Sequence, residues 1–303
     1  MKAIRANISF VNEFFWKAEA ERLKSSFRGC FVATLTPFDS QDRLDSGVVA
    51  AHAQWLQAEG VEGICPAGTT GEFLYLTEAE KIEVIASTVK AVGGKIPVIA
   101  GVWGLREPET LRLAKAAEDA GAVGLFLPPP IYYPADDEAI FHYYSAIKKA
   151  SNLPLYAYNI PQYAANTVSI PCLRRLFDEG VISGVKDSTG NEVRVSDLVR
   201  EFGEIGTVFA ASDGFVAKGR QLGAHGFISA IGNVTPALFA KLWEGDDSLQ
   251  DKVTHLRTSL KQYGSISALK TLLTLKGFPF GESRLPYSSL SEEAKKSLAA
   301  LDV

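Results

Sequence analysis

Short apolar runs alternate with longer amphipathic ones along nearly the whole chain. Cys30-Phe31-Val32-Ala33-Thr34-Leu35 is a continuous apolar run closed by Thr36-Pro37, which predicts a strand buried on both faces. Residues 46–59 then place Val48, Val49, Ala51, Trp55 and Leu56 at helical spacing, so one face of a predicted helix points inward. The pair recurs. Further strands are predicted at 63–65, 96–101, 123–127, 153–158, 182–186, 207–210 and 226–229. Helices follow them, one opened by Thr77-Glu78-Ala79-Glu80 and others at 107–120, 137–150, 170–178, 193–202, 214–222 and 236–244. In the first of these, Thr77 has the character of an N-cap and Glu80 stands in the reciprocal capping position.

Eight strand and helix units in series, with near-continuous apolar strands, predict a parallel (β/α)8 barrel, an α/β fold of the TIM type, over residues 29–245. Helices at 249–263, 265–276 and 291–301, interrupted by Gly264 and by Gly277-Phe278-Pro279, make residues 246–303 a C-terminal helical segment. Residues 1–28 stand apart: Phe10, Val11, Phe14, Phe15, Ala18 and Leu23 at near-helical spacing predict an N-terminal helical extension. An organellar targeting role for it is weakened by Glu13, Glu19 and Glu21. The alternative architecture, a doubly wound open sheet, calls for a glycine-rich phosphate loop, and Gly101-Val102-Trp103-Gly104 is too short and bulky to be one.

Composition narrows the function classes. Hydrophobic residues make up 47% and charged residues 22%, which suits a globular chain with a large core. The 31 basic against 35 acidic residues form no basic run, so no nucleic-acid partner is expected. No apolar run is long enough to span a bilayer, and no membrane association is expected. Cys30, Cys65 and Cys172 are odd in number, widely spaced and set among apolar residues, which fits core thiols in a reducing, cytoplasmic compartment. Four histidines share no metal-ligand spacing with one another or with Cys, and neither metal nor other cofactor is expected.

In a barrel of this kind, reactive groups gather where the strands end. Strand six ends in Gly184-Val185-Lys186-Asp187-Ser188-Thr189-Gly190-Asn191, delivering a lysine from a small, β-branched strand. That lysine either pairs with a carboxylate such as Asp187 or does chemistry. Strand two ends in Gly68-Thr69-Thr70-Gly71-Glu72, two hydroxyls among backbone N–H groups that form a turn or cradle a small carboxylate. Strand five ends in Tyr158-Asn159-Ile160-Pro161, with a phenol at the rim that serves packing or proton transfer. Lysine, tyrosine and threonine meeting in one dry pocket suit imine chemistry: the neutral amine attacks a carbonyl and the phenol moves protons.

Together these three motifs resemble those of the dihydrodipicolinate synthase and N-acetylneuraminate lyase family of Schiff-base enzymes, in the family's order, and the resemblance covers about residues 29–290. It implies that Lys186 forms the imine with pyruvate or another 2-oxo acid and that Tyr158 relays protons. Thr69 would link Tyr158 to solvent or substrate, and Thr70, with Gly68 beside it, would hold the 2-oxo acid carboxylate. Ile228 would line that pocket through its carbonyl. Tyr132 in Pro130-Ile131-Tyr132-Tyr133-Pro134 matches the tyrosine that family members lend to a neighbouring subunit, with Tyr133 as the alternative. A tight homodimer, paired into a dimer of dimers, is therefore implied.

Specificity is expected to lie where the chain departs from its relatives. Synthases of the family carry an arginine two residues after the proline of Tyr-Asn-x-Pro to grip the aldehyde substrate's carboxylate, whereas Tyr163 stands there in this chain. Sialic-acid lyases set an acid and a serine in the loops after strands seven and eight; here these loops read Ser212-Asp213-Gly214-Phe215 and Ser229-Ala230. The remaining pocket candidates are Tyr163, Ser188, Ser212, Asp213 and Trp103, and they point to the branch that cleaves or forms 2-keto-3-deoxy sugar acids from pyruvate and an aldehyde. Arene-derived aldehydes are also in view. The competing readings are a keto-deoxy sugar acid dehydratase, a dihydrodipicolinate synthase-type condensation and a silent 2-oxo acid binding protein.

Overall fold

The computed structural model describes residues 27–284, 286–287 and 289–303. All but the last two residues of the expected N-terminal extension lie outside that description. Eight strands run parallel: β1 (Gly29–Ala33), β2 (Gly63–Cys65), β3 (Ile99–Gly101), β4 (Gly124–Leu127), β5 (Leu155–Asn159), β6 (Gly184–Asp187), β7 (Thr207–Ala211) and β8 (Gly226–Ser229). Their spatial order, β2-β1-β8-β7-β6-β5-β4-β3, joins the first strand to the last, as a barrel requires.

The seam between β2 and β3 is thin. One bridge, Ile64 to Val98, spans it, with Ile64 N donating to Pro97 O at 3.0 Å and Gly101 N donating to Pro66 O at 2.9 Å. Proline has no N–H to give a ladder, so Pro97 accounts for β3 beginning at Ile99 and not at the expected residue 96.

Helices return the chain between strands: α1 (Ser46–Ala58), α2 (Glu78–Val92), α3 (Glu107–Ala120), α4 (Asp137–Ala150), α5 (Pro161–Ala164), α6 (Ile170–Asp178), α7 (Glu192–Phe202), α8 (Val216–Gln221) and α9 (Pro236–Glu244). Three more, α10 (Gln250–Lys261), α11 (Ser265–Leu275) and α12 (Glu292–Ala299), follow the barrel. Six of the starts are marked by side chains that satisfy orphan amides. At α2 the capping box is complete: Glu80 N donates to Thr77 Oγ1 at 3.2 Å and Thr77 N donates to Glu80 Oε2 at 2.8 Å. Asp45, Asp136, Ser169, Asn191 and Ser291 cap α1, α4, α6, α7 and α12 in the same way. The one-turn α5 was not legible in the sequence, because Pro161 starts it and Ala165, at φ 61°, stops it after four residues.

The barrel interior is an aromatic layer fitted against glycines. Phe31, Phe126, Tyr156, Tyr158 and Phe209 pack there with Cys65, Ile99 and Ile228. A Cβ on Gly184 would stand 2.5 Å from the Tyr156 ring and 2.5 Å from Thr207 O, so this strand position admits no side chain. The three cysteines are buried free thiols. Among the described residues, no helix is long and apolar enough to cross a membrane.

Candidate active site

Strand alternation sorts Lys186 from its neighbour. Side chains on β6 point alternately inward and outward, so Lys186 enters the barrel and Asp187 leaves it. Lys186 is 4% exposed, and its Nζ lies 3.9 Å from the centre of the Tyr158 ring and 5.1 Å from that of Phe126. Register explains the first contact: Lys186 on β6 pairs with Tyr158 on β5. Asp187 is fully buried and occupied elsewhere. Its Oδ2 accepts from Arg194 Nε at 2.7 Å and from Asn159 Nδ2 at 2.8 Å, and its Oδ1 accepts from Thr189 N at 3.0 Å. Lys186 makes no ion pair with any described carboxylate, so the pairing of Lys186 with Asp187 is not what the fold builds.

The turn after β2 brings the hydroxyls in. Ala67 takes the left-handed conformation at φ 55°, and residues Thr69–Gly71 form a single tight turn. Gly68 is required by crowding, since a Cβ there would come 2.9 Å from Phe126 Cζ. Across the barrel mouth the hydroxyls of Thr69 and Tyr158 lie 3.5 Å apart, a long contact of the kind that tightens when a site is filled. Thr70 follows, half-buried. Residues 69, 158 and 186, far apart in sequence, thus share one rim.

Two neighbouring spaces open beside Thr69 and Tyr158. An inner pocket of about 10 Å³, room for roughly one water, lies between Gly68, Thr69, Trp103, Phe126 and Tyr158. An outer chamber of about 230 Å³ extends outward past Ile160, Tyr163, Ile266 and Tyr287. Thr69, Phe73 and Pro128 line both. Tyr163, on α5, is 72% exposed, with its side chain at the chamber edge.

The other expected site residues are placed as follows. Ile228 is buried in the interior layer on β8. Ser188 is half-buried after β6, its N–H donating to Asn159 O at 2.9 Å and its carbonyl accepting from Gln162 Nε2 at 3.1 Å. Ser212 adopts φ 86° after β7, and a Cβ on Gly190 would stand 3.3 Å from its side chain, so the loops after β6 and β7 abut. Asp213 is buried and turned toward β8: Ser229 Oγ donates to its carboxylate and accepts from Gly232 N at 2.8 Å. Burial raises the Asp213 carboxyl above its ordinary range, and the Ser229 hydrogen bond opposes this. Its carboxylate therefore holds the β8 loop and does not join Lys186 and Tyr158. Tyr132 and Tyr133 stand out from the surface, 79% and 74% exposed, with their rings edge-to-face at 4.9 Å.

Sequence reasoning overlooked two networks beneath this rim. One is Asp187, Arg194 and Asn159, with Arg194 Nη2 also donating to Val168 O at 2.7 Å and Val168 N to Asn159 Oδ1 at 3.1 Å. The Asn and Asp that directly follow Tyr158 and Lys186 on adjacent strands were the available signal. The other joins Glu72, directly after the Thr69–Gly71 turn, to Lys270 of α11 at 2.5 Å, both side chains almost completely buried. Arg284 N donates to the second oxygen of Glu72 at 3.1 Å, so the C-terminal segment braces that turn. Burial lowers the basicity of Lys270, and the adjacent Glu72 carboxylate counters it.

The model of the dihydrodipicolinate synthetase family matches residues 26–301. A relative in Halobacterium salinarum, named an uncharacterized DapA-like lyase, is 34% identical over 280 residues, covering 90% of this chain and 92% of the relative. The 4-hydroxy-tetrahydrodipicolinate synthase of Rhizobium meliloti is 33% identical over 281 residues, covering 90% of this chain and 96% of that protein. The crystal structure of dihydrodipicolinate synthase from Aquifex aeolicus superposes with a TM-score of 0.84 at 29% identity, over 90% of this chain and 96% of that one. With a barrel of eight parallel strands and a match over nearly every described residue, the chain belongs to the dihydrodipicolinate synthetase family.

Proposed function

We propose that Lys186 is the imine-forming lysine of a class I pyruvate aldolase and that Tyr158 is its proton relay. The observation that carries the reading is a buried lysine that makes no ion pair with a described carboxylate and lies 3.9 Å from the ring of a buried tyrosine. As a family member, the chain is a Schiff-base-forming carbon–carbon lyase. In the cleavage direction, neutral Lys186 Nζ attacks C2 of the 2-oxo acid, and loss of water from the carbinolamine gives an iminium. Tyr158 removes the proton of the C4 hydroxyl, the C3–C4 bond breaks, and its electrons pass into the iminium as an enamine while the aldehyde leaves. Protonation at C3 and hydrolysis then release pyruvate and the free lysine.

Thr69 is the link between the Tyr158 phenol and the chamber, and the Gly68–Thr70 backbone with the Thr70 hydroxyl is the carboxylate cradle. No metal or other cofactor is invoked. Tyr132 is proposed to enter the site of a second copy of the chain, a reading supported by its exposed position beside Tyr133. The expected sugar-acid substrate needs groups that grip hydroxyls, and of the hydroxyls and acid foreseen, Asp213 is committed to Ser229 while Tyr163, Ser188 and Ser212 remain. The synthase-type condensation needs a cation near Tyr163, and among the described residues lining the chamber there is none.

Pyruvate in D2O tests the assignment without a second substrate. The enamine exchanges methyl protons, so NMR should show deuterium entering C3, abolished in Lys186→Ala and slowed by roughly 10²–10⁴-fold in Tyr158→Phe. Equal exchange in the native protein and Lys186→Ala contradicts the reading.

A further inference from the structure

We infer that the outer chamber receives the side group of an apolar aldehyde, with an aromatic ring as its best occupant. The inference rests on the imine reading of Lys186. The chamber opens onto the reacting groups through Thr69, whose hydroxyl faces the Tyr158 phenol, and shares Phe73 and Pro128 with the inner pocket. An aldehyde carbonyl at the inner end therefore leaves its substituent in the outer space.

The walls of that space decide what the substituent can be. Leu74, Ile131, Ile160 and Ile266 supply aliphatic surface, and Tyr163 and Tyr287 supply ring faces and edges. Among the described lining residues none is cationic, and the single charged one, Glu72, is paired with Lys270. A carboxylate placed here would meet apolar walls and gain no counter-charge, since Lys270 is taken by Glu72. A polyol chain would surrender several hydrogen bonds to water for the few hydroxyls available. An arene instead gains burial and edge-to-face contacts of the sort Tyr75 and Tyr287 already make at 5.7 Å. Volume agrees: a dry apolar cavity of roughly 150 Å³ accepts a benzene ring, and the chamber offers about 230 Å³.

In the synthetic direction, the enamine C3 attacks the aldehyde carbon, and the Tyr158 phenol protonates the resulting alkoxide. Hydrolysis of the iminium releases a 4-hydroxy-4-aryl-2-oxobutanoate and regenerates Lys186; no oxidant or reductant enters.

The full-length protein is given pyruvate with benzaldehyde, glyceraldehyde or succinic semialdehyde, and adducts are followed by mass spectrometry. Each rate is divided by the same protein's pyruvate deuterium exchange rate. Benzaldehyde is expected to exceed the other two in kcat/KM by about tenfold or more. In Ile266→Glu the ratio of benzaldehyde to glyceraldehyde is expected to fall by about tenfold. Preference for glyceraldehyde or the semialdehyde, or an unchanged ratio in the variant, with exchange intact, overturns the arene inference and leaves the imine reading standing. Absence of exchange in the native protein overturns both.

Discussion

Lys186 and Asp187 are adjacent in sequence and opposed in role, because a strand turns successive side chains to opposite faces. The lysine meets Tyr158 inside the barrel, and the aspartate meets Arg194 outside it. The lysine motif, the tyrosine motif and the paired threonines were each legible in the sequence, since strand ends carry reactive groups in this fold. The aspartate network was overlooked, although Asn159 and Asp187 directly follow the two reactive residues, because its contacts depend on β5–β6 register, which sets Asn159 opposite Asp187. Asp213 misled for a similar reason: its position after β7 suggested a substrate contact, and only the packing of β8 shows its hydroxyl partner, Ser229. Removing one member of a buried ion pair strands the other, so Asp187→Ala should lower unfolding stability by about 3 kcal/mol. Urea denaturation measures this, and a loss under about 1 kcal/mol contradicts the view that Asp187 and Arg194 hold the end of β6 together.

Among the elements, helices with long apolar faces fell where the sequence set them: α3, α4, α6 and α9 match the predicted spans at both ends, and α4 and α6 are also opened by capping side chains. Short elements governed by backbone chemistry did not. Pro97 delays β3, α5 is a single turn, and residues Asp213–Phe215 form a tight turn before α8 where a continuous helix was expected. The barrel wall itself is sensitive to one methyl group. Gly184→Ala would press a Cβ onto the Tyr156 ring and a backbone carbonyl, and should cost about 2 kcal/mol in urea unfolding. No measurable loss would mean that Tyr156 does not fill the interior against β6. Lys270→Met probes the brace between α11 and the Thr69–Gly71 turn, leaving the Glu72 carboxylate buried without its cation. A loss of about 3 kcal/mol is expected in the same assay, whereas native stability would count against the brace.

At the scale of the whole molecule, the C-terminal segment closes over the first strand and helix. The Phe280 carbonyl makes this join, accepting from Phe38 N at 3.0 Å, and the Phe280 ring lies 5.0 Å from that of His52. His52 is buried with Nε2 3.1 Å from Asn233 O, and burial holds its pKa down at about 4. The unfolded chain protonates this imidazole below about pH 6.5 while the folded chain does not until about pH 4. Stability from a neutral His52 is therefore complete above pH 6.5 and declines as pH falls from there toward 4. Thermal melts should show the native protein losing more stability across that window than His52→Gln; parallel melting curves would refute it. Eight alternating units made the barrel legible from apolar spacing alone, but the chamber was not, since its walls come from α5, α11 and the loops after β2 and β4.

The central claim, that Lys186 forms an imine with pyruvate, is tested most directly by borohydride reduction in the presence of pyruvate followed by peptide mass spectrometry. One reduced pyruvyl group per chain is expected, on Lys186, and none in Lys186→Ala; an unmodified Lys186, or a label on another lysine, would rule the imine out.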